Sequence, residues 1–292
     1  MKWQGTDIID FIIIGDQHGE FSAIKGLFKT YSPNMNAVII LGDAGFNFYL
    51  NKTDQKRKEE IQELGGLVYC VRGNHEERPE NIASMELGFD EIVNGYVYYE
   101  PKYSNIRYFI DGSIYDLIGF KTLVIGGAYS VDKEYRLIRS GKNPEEHWTG
   151  WFKSEQLTQE EMDLISDFIK GRTVDFVLSH TCPRSWQPFD LFLSQIDQKK
   201  IDKSMENWLD DLRLTFKWNV AWLFGHFHDD RIVRPHVEMY YKKSDSLAAI
   251  WQRWRAWDNG YKLDWWLKLD PNYCFWNEEQ DKRKLKEGAF SF

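Results

Sequence analysis

Residues 8–19 read IIDFIIIGDQHG, an isoleucine-rich apolar run that stops at a glycine and passes into a polar turn. A continuous apolar run of this kind predicts a strand that is buried on both faces. The pattern recurs at residues 37–45 (AVIILGDAG) and 67–76 (LVYCVRGNHE), and helical patterns lie between them at 21–30 and 52–64. This alternation predicts parallel strands whose carboxyl ends carry the functional loops.

The rest of the chain adds further strands and helices to this plan. Short β-prone runs separated by glycine turns predict antiparallel strands and hairpins between residues 95 and 126. An amphipathic helix is predicted over 154–169, with Ser154 as its cap, and a second helix over 195–215. Two more buried strands are predicted at 174–179 and 219–224, and each ends at a histidine motif.

Amino-acid composition limits the class of protein and the cellular compartment that we expect. The chain has 37 basic and 45 acidic residues, so its net charge of −8 gives no overall attraction to nucleic-acid phosphates. Its three cysteines (Cys70, Cys182 and Cys274) show no Cys-x-x-Cys spacing, which predicts free thiols in a reducing compartment. No signal-peptide pattern and no apolar run of the roughly 20 residues that span a bilayer is evident. We therefore expect a cytoplasmic protein without membrane contact.

Five short motifs at predicted strand ends carry side chains that bind metals. They are GDQHG (15–19), GDAG (42–45), GNHE (73–76), SHTCP (179–183) and GHFH (225–228). Carboxylate, imidazole and amide groups suit Mn, Fe, Zn, Co or Ni better than a soft ion. His226 and His228 are expected to reach one site together, because alternate residues of a strand point the same way. The set suffices for two metal ions, which could clamp the attacking and leaving oxygens of a phosphoryl transfer.

In this order, the motifs resemble those of the calcineurin-like metallophosphoesterase family over about residues 8–230. The resemblance implies an α/β fold, a four-layer αββα sandwich in which helices flank two mixed β-sheets. It also implies two divalent ions, with Mn the first candidate and Fe, Zn, Ni, Co or Mg as alternatives. The implied ligands are Asp16, His18 and His228 for one ion and Asn74, His180 and His226 for the other, with Asp43 bridging both.

The resemblance implies a reaction as well as a ligand set. A metal-bridging hydroxide would attack phosphorus in line, and His75 would act at the leaving-group oxygen as general acid or charge stabiliser. The protein Ser/Thr phosphatase branch has Gly-Asp-x-x-Asp-Arg-Gly at the second motif, whereas this chain has Phe46 and Asn47 at the Asp and Arg positions. Arg72, by contrast, matches the Arg-Gly-Asn-His-Glu form of that branch. We therefore predict substrate contacts from Arg72, Asn47 and Arg136.

Several functions fit these motifs. The Arg72-to-Glu76 match favours a phosphatase acting on a phosphorylated small molecule, a nucleotide or a phosphoprotein. The missing phosphate-clamp arginine favours a phosphodiesterase or nuclease acting on cyclic nucleotide or nucleic acid, although the acidic balance speaks against nucleic acid. The third alternative, a metal-binding scaffold without turnover, finds less support because no expected ligand is missing.

The C-terminal part of the chain is rich in tryptophan. Six of the 13 tryptophans lie in the last 42 residues, so we predict a catalytic domain over 1–235 and a Trp-rich extension over 236–292 that packs on it. Trp251, Trp254 and Trp257 recur every three residues with arginines between them. They could pack on the main domain, form an aromatic and basic platform for a base or partner chain, or mediate self-association.

Overall fold

The computed structural model describes residues 8–33, 36–139 and 150–260, and these form two mixed β-sheets. In spatial order the first sheet consists of β13 (Ser244–Ser246), β1 (Asp10–Ile14), β2 (Asn36–Leu41), β3 (Val68–Val71), β6 (Ile106–Phe109), β5 (Gly95–Tyr99) and β4 (Glu86–Asp90). The second consists of β11 (Arg231–Arg234), β12 (Val237–Met239), β10 (Ala221–Phe224), β9 (Phe176–Ser179), β8 (Phe120–Ile125) and β7 (Ile114–Leu117). The central strands of each sheet run parallel, as predicted, and antiparallel strands close the edges.

Strand β1 shows why the apolar runs are continuous. Phe11 and Ile13 face the second sheet and belong to the core between the two sheets. Ile12 and Ile14 face the opposite way and pack with the outer helices α1 (Ser22–Thr30) and α2 (Lys52–Glu63). Burying one such side chain contributes about 1.5–3 kcal/mol, so both faces of the strand stabilise the fold.

Helices cover the outer face of the second sheet too, which completes the predicted four layers. Helix α4 (Gln159–Ile169) and helix α5 (Ser204–Arg213) bury their apolar faces in a core shared with β8, β9 and β10. The short helix α3 (Lys133–Arg139) follows β8. None of the described helices is long and apolar enough to cross a membrane.

Two predicted helices have different bounds from those expected. Helix α4 begins at Gln159 and not near Ser154, because Thr158 and Glu161 form a reciprocal capping box at its start. The Ser154 carbonyl instead accepts a hydrogen bond from Arg78. Helix α5 occupies only 204–213 of the predicted 195–215. Edge strand β4 was not predicted, because its Glu-Leu-Gly-Phe-Asp sequence lacks a run of β-branched residues.

The described part of the predicted extension, residues 236–260, is built into both sheets. Strand β12 pairs with β10, β13 pairs with β1, and α6 (Leu247–Asp258) packs its Trp254 into the core between the sheets. Trp251 and Trp257 are partly buried against the same core. The predicted boundary falls between β11 and β12, which pair with each other. Trp265, Trp266, Trp276 and Cys274 lie outside the described residues.

Candidate metal centre

All five motifs lie directly after the carboxyl ends of five parallel strands, β1, β2, β3, β9 and β10. Backbone hydrogen bonds join neighbouring loops. The His18 amide donates to the Asp43 carbonyl at 2.7 Å, and the Gly225 amide donates to the His180 carbonyl at 3.0 Å. The loops therefore form one connected surface at which the motif side chains meet.

The first group of converging side chains contains Asp16, His18 and His228. The two histidine Nε2 atoms lie 3.0 Å apart, and His228 Nε2 lies 3.3 Å from Asp16 Oδ2. Asp16 is buried, and its Oδ2 accepts no hydrogen bond from the described residues. A buried carboxylate is costly unless a cation pairs with it. This donor set therefore fits a divalent ion.

The second group forms around the Asn74 amide. Its Oδ1 lies 2.8 Å from His180 Nε2 and 3.1 Å from His226 Nδ1. His180 Nδ1 lies 2.8 Å from the Leu41 carbonyl and must donate to it, because a carbonyl only accepts. In the neutral imidazole the Nε2 lone pair of His180 would therefore face Asn74, as a metal ligand requires.

Asp43 lies between the two groups. Its Oδ2 is 3.6 Å from His180 Nε2 and 3.9 Å from His18 Nε2. Its Oδ1 accepts the His75 backbone amide at 2.8 Å, which fixes the carboxylate. Asp16, Asp43 and His180 also form a compact buried group. This geometry fits the bridging role that the resemblance implies for Asp43.

Burial and neighbouring charges shift the pKa values of three predicted ligands. Burial acts to raise the pKa of Asp43, but the neighbouring His180 and His75 charges outweigh it and the pKa lies well below the usual range. Burial lowers the pKa of His180, but Asp43 and Asp16 raise it to about 9. Burial and the His180 charge lower the pKa of His226 to about 3, which keeps that imidazole neutral, as metal binding needs. The buried carboxylates of Asp43 and Asp16 thus favour positively charged groups beside His180.

Four of the seven predicted ligands have left-handed backbone. The φ angles are 49° at His18, 48° at Asp43, 70° at His226 and 54° at His228. Such strain costs on the order of 1 kcal/mol per residue and concentrates at functional sites. The expectation that His226 and His228 alternate along a strand is wrong, because both follow β10 in a turn. They reach the site through these turns, and they join different groups.

We predict that Gly42→Ala will weaken metal binding at least tenfold. Gly42 has φ +93°, and a Cβ there would overlap the His180 ring, which has no room to move because it is fully buried. Overpacking of this kind also destabilises the fold by about 1–3 kcal/mol. Calorimetric titration with Mn and urea unfolding would measure both effects.

Gly26→Ala is the matched control for that variant. Gly26 lies on α1, and an added Cβ there meets no atom within 4 Å. Alanine is also the better helix former, by about 1 kcal/mol. This variant should keep wild-type metal affinity. Equal metal affinities for the two variants would contradict the close packing of Gly42 on His180.

His75 belongs to neither metal group but lies beside them. Its Nε2 is 3.9 Å from Asp43 Oδ2, and its side chain is 21% exposed. The Phe48 ring packs edge-on at 6.2 Å. Burial lowers the pKa of His75 more than the Asp43 charge raises it, and the Arg136 charge lowers it further. The imidazole is therefore accessible at the rim, where a leaving group would depart.

Arg72 does not lie where the substrate-contact prediction placed it. The side chain is buried and donates from Nε to Asp111 Oδ2 at 2.9 Å. Its other nitrogens donate to the carbonyls of Glu155 at 2.8 Å and Gly126 at 3.2 Å. The guanidinium thus joins three chain segments within the protein. Its role is to support the loops around the site.

Replacing Arg72 by methionine should therefore lower stability by about 3–5 kcal/mol, because Asp111 loses its charged partner and the carbonyls of Glu155 and Gly126 lose a buried donor. KM for a phosphate ester should stay close to wild type. Urea unfolding and steady-state kinetics measure the two effects. Arg213→Met is the matched control, since its pair with Asp210 is partly exposed and contributes at most about 1 kcal/mol. A large rise in KM without loss of stability would restore the substrate-contact role.

The other two predicted substrate contacts, Asn47 and Arg136, lie in different places relative to the metal ligands. Asn47 is buried and lines a separate cavity of about 460 Å³ together with Lys58 and Glu100, so it does not join the metal ligands. Arg136 on α3 lies with its Cζ 5.9 Å from the centre of the Phe48 ring, which in turn packs on His75. Of the three predicted substrate contacts, Arg136 is the one that the structure brings near the reacting groups.

Tyr241 at the site was not predicted from the sequence. Its ring stacks on the His228 imidazole at 4.8 Å and 11°, and its backbone amide donates to Asp230 Oδ1 at 2.7 Å. It lies beyond the last motif, between β12 and β13. No sequence pattern marks such a residue, because its position depends on β13 returning to pair with β1.

The model of the calcineurin-like phosphoesterase family matches residues 9–230 of this chain. The chain belongs to the calcineurin-like phosphoesterase family. This metallophosphoesterase is therefore a hydrolase of phosphate esters, and its two groups of candidate ligands agree with a family that binds divalent metals. No curated protein matches the chain. Several solved structures match the chain, and one crystal structure among them aligns with it at 13% identity and a TM-score of 0.44, covering 79% of this chain and 89% of the other.

Proposed function

We propose that this metallophosphoesterase is a phosphomonoesterase that uses two divalent ions, with Mn the first candidate. When bound, such ions activate water and neutralise charge on the phosphoryl group. The converging donor groups and the buried carboxylates support this assignment. The proposed ligands are Asp16, His18 and His228 for one ion, Asn74, His180 and His226 for the other, and Asp43 for both.

The proposed preference for monoesters rests on the position of Arg136. A monoester dianion has one more negative charge than a diester, so a cation at the rim stabilises it more. The Arg136 Cζ lies 5.9 Å from the centre of the Phe48 ring that packs on His75, and its Nε and Nη1 donate to Asp132 and to the Gly150 carbonyl, which leaves Nη2 for a substrate oxygen. His75 would act at the leaving-group oxygen as a general acid or as a stabiliser of charge, and Arg136 would bind a free phosphoryl oxygen. The substrate would be a phosphorylated small molecule, a nucleotide or a phosphoprotein.

A phosphodiesterase is the second candidate. The inward positions of Arg72 and Asn47 favour it, since neither side chain is at the metal groups to bind an additional phosphate charge. Nucleic acid is the less favoured diester because the net charge is −8. We also propose a cytoplasmic location, which the free buried thiols of Cys70 and Cys182 support.

The test compares p-nitrophenyl phosphate with bis-p-nitrophenyl phosphate on protein that has been stripped of metal and reloaded with Mn. We expect the monoester to be preferred, and Arg136→Gln to lower kcat/KM about tenfold for the monoester alone, which corresponds to about 1.4 kcal/mol. Arg172→Gln is the matched control, because Arg172 follows the end of α4 and its Cζ lies 4.3 Å from the centre of the Phe168 ring. Preference for the diester would overturn the monoesterase assignment. No turnover of either ester with both ions bound would favour a binding protein.

A further inference from the structure

The side-chain amide of Asn74 can adopt two orientations, which exchange the places of its oxygen and its nitrogen. An amide has two ends of nearly equal size, but only the oxygen can bind a metal ion. In the structure Oδ1 points at His180 Nε2 (2.8 Å) and His226 Nδ1 (3.1 Å). The amide nitrogen Nδ2 points the other way and donates to Ser130 Oγ at 2.8 Å. Ser130 is thus the described partner that distinguishes the two ends.

Ser130 lies in the loop between β8 and α3 and is 2% exposed. Its backbone amide donates to Glu155 Oε1 at 3.2 Å, which holds the loop in place beside Asn74. A hydroxyl oxygen has two lone pairs, so Ser130 Oγ can accept the Asn74 amide nitrogen whichever way its own proton turns. With this bond made, the amide oxygen faces the two histidines.

Glu155 is itself held in place. It is 3% exposed, and its backbone carbonyl accepts hydrogen bonds from Arg72 Nη1 at 2.8 Å and from the Ala128 amide at 3.2 Å. The chain of contacts therefore runs from Arg72 to Glu155, then to Ser130, and ends at Asn74. Each member is buried, so water cannot readily replace a lost partner.

We propose that Ser130 is a positioning residue that holds the amide of Asn74 with its oxygen toward the second metal position, and that Glu155 holds Ser130 in place through its backbone amide. This inference rests on the proposed two-metal site. Partners of metal ligands commonly change metal affinity 10- to 100-fold when they are removed. The effect should be confined to the ion held by Asn74, His180 and His226.

The experiment is a Mn titration of metal-stripped full-length protein by calorimetry, with electron paramagnetic resonance to detect coupled Mn pairs. Ser130→Ala should weaken one of the two ions about 10- to 100-fold and leave the other at wild-type affinity. The coupled-pair signal should be lost at Mn concentrations that fill both positions in wild type. Glu155→Gln should weaken the same ion by a smaller factor, because it keeps an oxygen that can accept the Ser130 amide but loses the charge that strengthens this bond.

Ser166→Ala is the matched control, since Ser166 Oγ bonds Trp208 Nε1 and the Met162 carbonyl away from the site. It should leave both affinities unchanged, and urea unfolding of metal-free samples separates loss of fold from loss of a ligand. If Ser130→Ala binds both ions as wild type does, or weakens both equally, the positioning role is wrong. If wild type itself binds fewer than two ions, the proposed two-metal function fails and this inference with it. If Ser130→Ala does not fold, Glu155→Gln decides, and wild-type affinity for both ions in that variant would overturn the proposal.

Discussion

Replacing Asp43 with asparagine is expected to remove at least one metal ion and to lower phosphate-ester turnover by about 10³-fold or more. Asp43 Oδ2 lies between His18 and His180, so the change removes the one negative charge that both groups of ligands share. Metal ions contribute several kcal/mol to charge stabilisation in such reactions, and about 4 kcal/mol corresponds to a factor of 10³. Metal content after dialysis and the rate with p-nitrophenyl phosphate would measure the two losses.

The hydrogen bonds of Asp43 make asparagine an informative replacement. Its Oδ1 accepts the His75 amide, and its backbone carbonyl accepts the His18 amide, so an amide side chain can preserve the loop while losing the charge. Asp90→Asn is the matched control, because Asp90 is also a buried aspartate and its Oδ1 accepts the Ile92 amide away from the ligands. It should keep the wild-type metal content. Two tightly held ions in Asp43→Asn would show that Asp43 does not bridge the ions.

The ligand set could be predicted because strand ends are visible in the sequence. Apolar runs that stop at Asp16, Asp43 and Asn74 indicate the carboxyl edge of a parallel sheet, and residues at that edge must meet. The left-handed φ angles at His18 and His228 could not be predicted, because the whole fold imposes them and no local preference favours them.

The supporting residues could not be predicted for a related physical reason. Arg72 matches a family motif, but the direction of its guanidinium is decided by Asp111 and the Glu155 carbonyl, which lie far along the chain. A buried guanidinium needs acceptors, so the positions of those acceptors decide its orientation. The motif alone therefore predicted the wrong role for Arg72. Ser130 and Tyr241 belong to no motif at all. Their contacts exist only once the two sheets have packed.

The second large expected effect is at His75. His75→Ala should lower kcat by about 10² to 10⁴, the range usual for a general acid, while both ions stay bound. The side chain belongs to neither metal group, and its Nε2 is 3.9 Å from Asp43 Oδ2. The His75 backbone amide holds Asp43 and is unchanged by the substitution. Metal stoichiometry should therefore match wild type while turnover falls.

The leaving group distinguishes the two roles open to His75. A general acid matters most when the leaving oxygen is basic, so the loss in His75→Ala should be larger for phenyl phosphate than for p-nitrophenyl phosphate. A histidine that only stabilises phosphoryl charge would affect both substrates alike. His236→Ala is the matched control, since His236 is a buried histidine paired with Asp258 away from the site, and it should leave the leaving-group dependence unchanged. Equal losses for the two esters would assign His75 to charge stabilisation, and loss of a metal ion would make it a ligand.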